Sequence, residues 1–131
     1  MADAVTSQAR ETGLGQVIHL TNLCDTTGEA GVVKVDKSAA IFPDGTAVGR
    51  LAIEKVQYSV QGFTYVKIAF DHTTDDTALI LAPGSVVLDF AELGGVVDPD
   101  SAGGTGDIVL TTAGNAAGDT YDITLHVRYY N

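Results

Sequence analysis

Apolar side chains recur at every second position within short segments of this chain, and clusters of Gly, Asp, Asn and Pro separate the segments. A period of two turns one face of a β-strand toward a core and the other toward water. The longest such segment is residues 120–130, whose apolar positions are Tyr121, Ile123, Leu125, Val127 and Tyr129. The pattern therefore predicts β-strands and not helices.

About eight segments have the length and composition of strands: residues 16–23, 32–36, 50–60, 63–70, 78–81, 86–90, 107–112 and 120–130. No amphipathic stretch of ordinary helical length accompanies them. We therefore expect an all-β fold in which two antiparallel sheets pack as a sandwich, either a jelly roll or an immunoglobulin-like sandwich. The number of strands favours the jelly roll.

Two connections have the composition of tight turns. Gln61-Gly62 joins residues 50–60 to 63–70, and residues 82–85, which include Pro83-Gly84, lead into the strand at 86–90. Short Gly-containing links between strands are typical of β-hairpins. The sequence therefore predicts that each pair of flanking strands forms a hairpin.

A change of register is predicted inside residues 50–60. Leu51 and Ile53 lie on one face of this strand, whereas strict alternation places Val56 and the apolar residues after it on the other. One inserted residue reverses the side to which the following side chains point. A β-bulge near Glu54-Lys55 would thus return all the apolar side chains to one face.

The chain is predicted to have an N-terminal arm, residues 1–14, followed by one β-sandwich domain, residues 15–131. The arm is polar and lacks a sustained apolar period, so we expect it to order against another molecule. A length of 131 residues suits a single core. No repeat or linker divides the remainder.

The charge and the composition exclude several classes of protein. Seventeen acidic residues against seven basic residues give a net charge of −10, which disfavours binding to nucleic acid and to anionic membranes. Cys24 is the single cysteine, so no intramolecular disulfide is expected. There is no basic start followed by an apolar run, and no apolar stretch is long enough to span a membrane, so the protein is expected to remain where it is made.

Catalytic signatures are absent from the sequence. His19, His72 and His126 stand in a strand, a loop and a strand, and no Gly-x-Ser-x-Gly elbow accompanies them. The chain has no Trp to provide a platform for sugars. We therefore predict that the protein is not an enzyme, has no catalytic residue and uses no cofactor.

Two acidic loops have residues of the kind that bind metal ions. Residues 71–76 gather three carboxylates and an imidazole, although a short loop usually spreads such groups into solvent. The second loop carries Asp98, Asp100 and Asp107 but lacks the register and the final Glu of an EF-hand. The prediction is that no metal site is present, and these three aspartates remain the candidates for a divalent ion.

Four stretches resemble small virion structural proteins of tailed bacteriophages. They are MADAVT (residues 1–6), GVVKVDKS (31–38), GDIVLTT (106–112) and GDTYDITL (118–125). The resemblance rests on strand and turn patterns along most of the chain. It implies a capsid decoration, or cement, protein that binds the outer shell and clamps neighbouring capsid subunits.

The resemblance also implies partners and a location. The partners would be the major capsid protein and further copies of this chain in a homotrimer, on the outer capsid surface of a virion assembled in the host cytoplasm. The arm would make the contact, and its partner-binding residues would be Ala2, Asp3, Ala4, Val5, Thr6 and Arg10. The alternatives are a head-tail connector or tail protein, and a β-sandwich that binds carbohydrate or a receptor.

Overall fold

The computed structural model describes residues 3–11 and 13–130, and these form ten β-strands in two antiparallel sheets. The strands are β1 (Ala4–Glu11), β2 (Gly15–Leu23), β3 (Val32–Val35), β4 (Arg50–Gln61), β5 (Tyr65–Phe70), β6 (Asp76–Leu81), β7 (Gly84–Asp89), β8 (Val96–Val97), β9 (Ile108–Ala113) and β10 (Thr120–Tyr130). The helical content of these residues is two short 3₁₀ turns, Lys37–Ala39 and Ala91–Leu93. None of the helices in the described residues is long and apolar enough to cross a membrane. The predicted all-β class is confirmed.

The order of the strands is that of a jelly roll. One sheet has the order β1-β2-β10-β4-β7, with β8 paired to β4, and the other has the order β3-β9-β5-β6. Without β1 and β8, the eight remaining strands numbered along the chain lie in the orders 1-8-3-6 and 2-7-4-5. Two Greek keys folded face to face produce this arrangement. The jelly roll expected from the number of strands is therefore correct.

The two predicted hairpins are wrong. β4 lies in the six-stranded sheet and β5 in the four-stranded sheet, and β6 and β7 are separated in the same way. Gly62 has a φ of 90° and carries the chain from one sheet to the other. A glycine with positive φ serves a hairpin and a corner between sheets equally well. β4 instead pairs with β10 over almost its whole length, a longer ladder than the six residues of β5 would provide.

The predicted bulge in β4 is present. His126 pairs with Lys55 and Val127 pairs with Ile53, so Glu54 is the inserted residue. The side chains on both sides of the bulge now reach the same interior, and four of them are fully buried: Leu51, Ile53, Val56 and Val60. The bulge therefore keeps both halves of a twelve-residue strand on one core.

The core is a single apolar cluster between the two sheets. The alternation predicted for β10 is confirmed, because its five apolar side chains point inward. The largest fully buried side chains come from both sheets and their corners: Ile18, Leu20, Leu51, Ile53, Phe63, Ile68, Phe70, Leu81, Ile108, Leu110, Tyr121 and Ile123. This core positions the loops that follow β5 and β8 at one end of the sandwich.

β1 lies where an arm was predicted for residues 1–14. Residues 4–11 pair with β2 along the whole strand and form the outermost strand of the six-stranded sheet. Every residue of β1 is exposed. The segment is thus ordered against β2 of the same chain, although it contributes no side chain to the core.

Candidate functional site

Two acidic loops are joined side by side at one end of the sandwich. The backbone N–H of Asp71 donates to the carbonyl of Asp107, and the N–H of Gly106 donates to the carbonyl of Asp71, each at 2.8 Å. The Thr105 hydroxyl donates to the Asp71 carboxylate at 2.8 Å, and this bond lowers the pKa of Asp71. The loop after β5 is therefore fixed to the long connection before β9.

His72 lies buried between these loops, with a side chain that is 3% exposed. Its Nδ1 is 2.8 Å from the carbonyl oxygen of Gly103, and its Nε2 is 2.6 Å from Oδ1 of Asp98. A carbonyl oxygen only accepts, so Nδ1 carries a proton. The Gly103 carbonyl is the main reason that the pKa of His72 is raised, burial opposes it, and Asp98 adds to the increase.

Asp98 and Asp76 lie beside the imidazole, and each has one buried oxygen atom without a hydrogen bond. Asp98 is 1% exposed, and its Oδ1 also accepts the N–H of Asp100 at 2.9 Å. Oδ2 of Asp98 and Oδ2 of Asp76 are buried without a hydrogen bond, the latter 3.8 Å from His72 Nε2. Buried oxygens of this kind usually have a partner.

His72, Asp76 and Asp98 form the one group of potential metal ligands found among residues 3–11 and 13–130. One ligand atom from each residue lies within 4.8 Å of the other two. An imidazole with two carboxylates is a ligand set of the kind that zinc and similar ions use in proteins. The arrangement has the chemistry of a divalent cation site.

The structure separates the three aspartates that the sequence grouped together. Asp98 belongs to the cluster, whereas Asp100 is exposed and contributes its N–H to Asp98. Oδ1 of Asp107 accepts the backbone N–H of Lys37 at 2.7 Å. Each loop is recognisable in the sequence by itself, but nothing in its pattern indicates that His72 meets a residue 26 positions further along.

A second buried polar cluster surrounds Glu29, which lies between β2 and β3. The Lys34 ammonium is 2.6 Å from Oε2 of Glu29, and the two side chains are 4% and 5% exposed. Oε1 accepts from the Asn22 amide at 2.8 Å and from the Tyr121 hydroxyl. Burial, together with Glu29, raises the pKa of Tyr121 far above its usual range. Both carboxylate oxygens of Glu29 have partners within the chain, and these contacts join β2, β3 and β10.

Asp3, one of the predicted partner-binding residues, forms hydrogen bonds within the chain. Its Oδ1 accepts the backbone N–H groups of Asp25 and Gly28, each at 3.1 Å, and its Oδ2 accepts the Asn22 amide at 3.0 Å. Burial opposes the effect of these donors, but together they lower the pKa of Asp3 to about 2. Asp3 therefore anchors the start of β1.

The end of β1 is anchored as well. The Tyr129 hydroxyl is 2.7 Å and 2.8 Å from the two carboxylate oxygens of Glu11, and the Gln16 amide donates to Glu11 at 3.5 Å. Burial, followed by Glu11, raises the pKa of Tyr129 to about 12. β1 is thus tied at both ends to the sheet.

Between these anchors, the other predicted partner-binding residues are exposed. They are Ala4, Val5, Thr6 and Arg10, while Ala2 lies outside the described residues. The Thr6 hydroxyl bonds to the hydroxyl of Thr21 on β2. Within the described part of the chain, no strand pairs with the outer edge of β1. Its unpaired backbone groups face outward.

Known proteins give no guide to the function. No family model matches the sequence, no curated protein is similar to it, and no solved structure matches the fold. The functional argument therefore rests on the geometry of this molecule and on the resemblance of its strand and turn patterns.

Proposed function

We propose that this protein is a non-enzymatic structural component of a tailed bacteriophage virion, namely a capsid decoration protein. On this proposal it binds the outer shell as a homotrimer and bridges neighbouring subunits of the major capsid protein. The observation that carries the proposal is β1, an anchored strand that is exposed on both faces and unpaired on its outer edge among the described residues.

β1 adds little to the stability of a monomer. Fixing the backbone of each residue costs about 1–2 kcal/mol, and each ladder hydrogen bond returns a net gain of about 1 kcal/mol. No side chain of β1 is buried to add an apolar contribution. A strand of this kind gains stability when a partner covers it, as in β-augmentation.

The charge and the fold are compatible with a position outside the shell. A net charge of −10 would repel packaged DNA. We therefore expect this protein to contact other proteins and solvent. Jelly rolls recur in viral capsid proteins, although this link is an analogy between folds, because unrelated functions share them. The specific role comes from the resemblance of residues 1–6, 31–38, 106–112 and 118–125 to small virion structural proteins of tailed bacteriophages.

The test is binding of the purified protein to undecorated capsids, followed by sedimentation and quantitation of the bound copies. The variant combines Val5→Glu with Arg10→Glu, which makes the middle of β1 strongly acidic and keeps both anchors. Val87→Glu on β7, the outer strand on the other side of the sheet, is the control. We expect the double variant to lose binding by at least about 1.4 kcal/mol, or tenfold, and the control to bind normally.

Normal occupancy of capsids by the double variant contradicts the proposal if its midpoint of thermal unfolding matches that of the wild type. Native mass spectrometry adds a second criterion. A trimer supports a decoration protein, whereas a larger ring indicates a connector or tail component. Specific binding on a glycan array with no binding to capsids would instead favour the carbohydrate- or receptor-binding alternative.

A further inference from the structure

We propose that His72, Asp76 and Asp98 bind one divalent transition-metal ion of the zinc type, which fastens the loop after β5 to the connection before β9. The site is structural, and it is independent of the surface through which the protein would bind a capsid. His72 and Asp98 lie in two loops that already share backbone hydrogen bonds, and Asp76 is the first residue of β6.

The charges of the cluster favour an ion. With His72 protonated on both nitrogens, one imidazolium faces two carboxylates, and the group has a net charge of −1. A neutral imidazole and a divalent ion bring the same group to zero, and the ion would be a partner for the orphaned Oδ2 of Asp76, which lies 3.8 Å from Nε2. The Lys37 ammonium does not fill this role, because it donates to the Gly49 carbonyl at 3.3 Å and forms no ion pair found in the described residues.

The imidazole is oriented as in known metal sites. Metal-ligating histidines commonly donate their second N–H to a backbone carbonyl or a carboxylate, which fixes the tautomer and the ring. Here Nδ1 faces the Gly103 carbonyl, which leaves Nε2 pointing at the carboxylates. The cluster thus has the hydrogen bond that orients a metal-binding histidine, in addition to three potential ligands.

Close packing of the glycine-rich connection holds this geometry. A Cβ on Gly104, whose φ is +68°, would lie 2.4 Å from the Asp71 carbonyl oxygen and from Cα of His72. The backbone at Gly104 can approach His72 only because it has no side chain. The connection therefore covers the imidazole at short range.

The distances suit a small ion. Zinc binds imidazole nitrogen and carboxylate oxygen at about 2.0–2.2 Å, so neighbouring ligand atoms stand roughly 3–3.5 Å apart. Nε2 of His72 is 2.6 Å from Oδ1 of Asp98 and 3.8 Å from Oδ2 of Asp76, and these distances lie on either side of this value. Calcium and magnesium prefer sets made of oxygen alone and more numerous ligands. We therefore expect zinc, cobalt(II) or nickel(II) to bind in preference to them.

The experiment uses the full chain after treatment with a chelator. Zinc binding is measured by isothermal titration calorimetry, and cobalt(II) binding by visible absorption. We expect one equivalent to bind, with at least about tenfold weaker binding in His72→Gln and Asp98→Asn. His19→Gln is the matched control, because His19 makes a similar 2.7 Å contact with Asp122 but on the exposed surface.

Far-UV circular dichroism establishes that each variant is folded. If Asp98→Asn does not fold, Asp76→Asn replaces it, because the Asp76 side chain is 30% exposed. Failure of the wild type to bind zinc or cobalt overturns the proposal, and so does equal binding by His72→Gln. Protonation of both His72 nitrogens at saturating zinc, seen in ¹⁵N NMR spectra, would also overturn it. None of these results bears on capsid binding.

Discussion

Replacing Lys34 by Met should destabilise the protein strongly, because it leaves the Glu29 carboxylate buried without its cation. The Lys34 ammonium lies 2.6 Å from Glu29, and both side chains are at least nine-tenths buried. Removing one partner of a buried pair costs about 3–5 kcal/mol. Asn22 and Tyr121 still donate to Glu29, so we expect a loss near the lower limit, about 3 kcal/mol.

Urea denaturation followed by far-UV circular dichroism measures this loss. Lys34→Met should lower the free energy of unfolding by about 3 kcal/mol, and the thermal midpoint by roughly 10 °C for a domain of this size. Adding Glu29→Gln removes the stranded charge while keeping an acceptor for Asn22 and Tyr121. The double variant should therefore recover more than half of the lost stability, a positive coupling in the mutant cycle.

Lys67→Met on β5 is the control, because Lys67 is only partly buried. Among the described residues, no carboxylate forms an ion pair with it. Its effect should stay within about 0.5 kcal/mol. The reasoning is refuted if Lys34→Met loses less than about 1 kcal/mol, the value typical of surface pairs. It is also refuted if the double variant is no more stable than the single variant.

Two further predictions concern β1 and the connection over His72. Because the folded pKa of Asp3 is about 2, below its usual 3.8, the carboxylate stabilises the fold above about pH 4, and this contribution disappears as the pH falls toward 2. Asp3→Asn should therefore be less stable than wild type by about 1 kcal/mol at neutral pH, with the gap closing in acid denaturation below about pH 3. Gly104→Ala should lower the thermal midpoint clearly more than Gly45→Ala, since both have positive φ but a Cβ at Gly45 meets nothing within 4 Å. Equal midpoints for the two alanine variants would contradict the close contact at Gly104.

The sequence predicted correctly those features that depend on a single strand. The alternation in β10 and the bulge at Glu54 were predictable, because both follow from which side chains a single strand must bury. The number of strands also indicated the correct architecture. Each of these signals can be recognised without knowing which strands pair.

Long-range partners were not predictable in the same way. Gly62 permits a hairpin or a corner, and only the competition between β5 and β10 for the edge of β4 decides between them. His72 and Asp98 are separated by 26 positions and meet because two loops converge. For β1, exposed polar residues indicated an arm, whereas the anchors at Asp3 and Glu11 depend on groups supplied by distant turns and strands.

The place of β10 in the six-stranded sheet has a consequence for how the protein is made. β10 lies between β2 and β4, although it follows both along the sequence by many residues. Until it is synthesised, those two strands lack the neighbour that joins them, and the strand edges that pair with β10 remain open. Folds dominated by such distant pairings form in milliseconds to seconds rather than microseconds. A nascent chain that lacks β10 is therefore the species most exposed to aggregation and to chaperones.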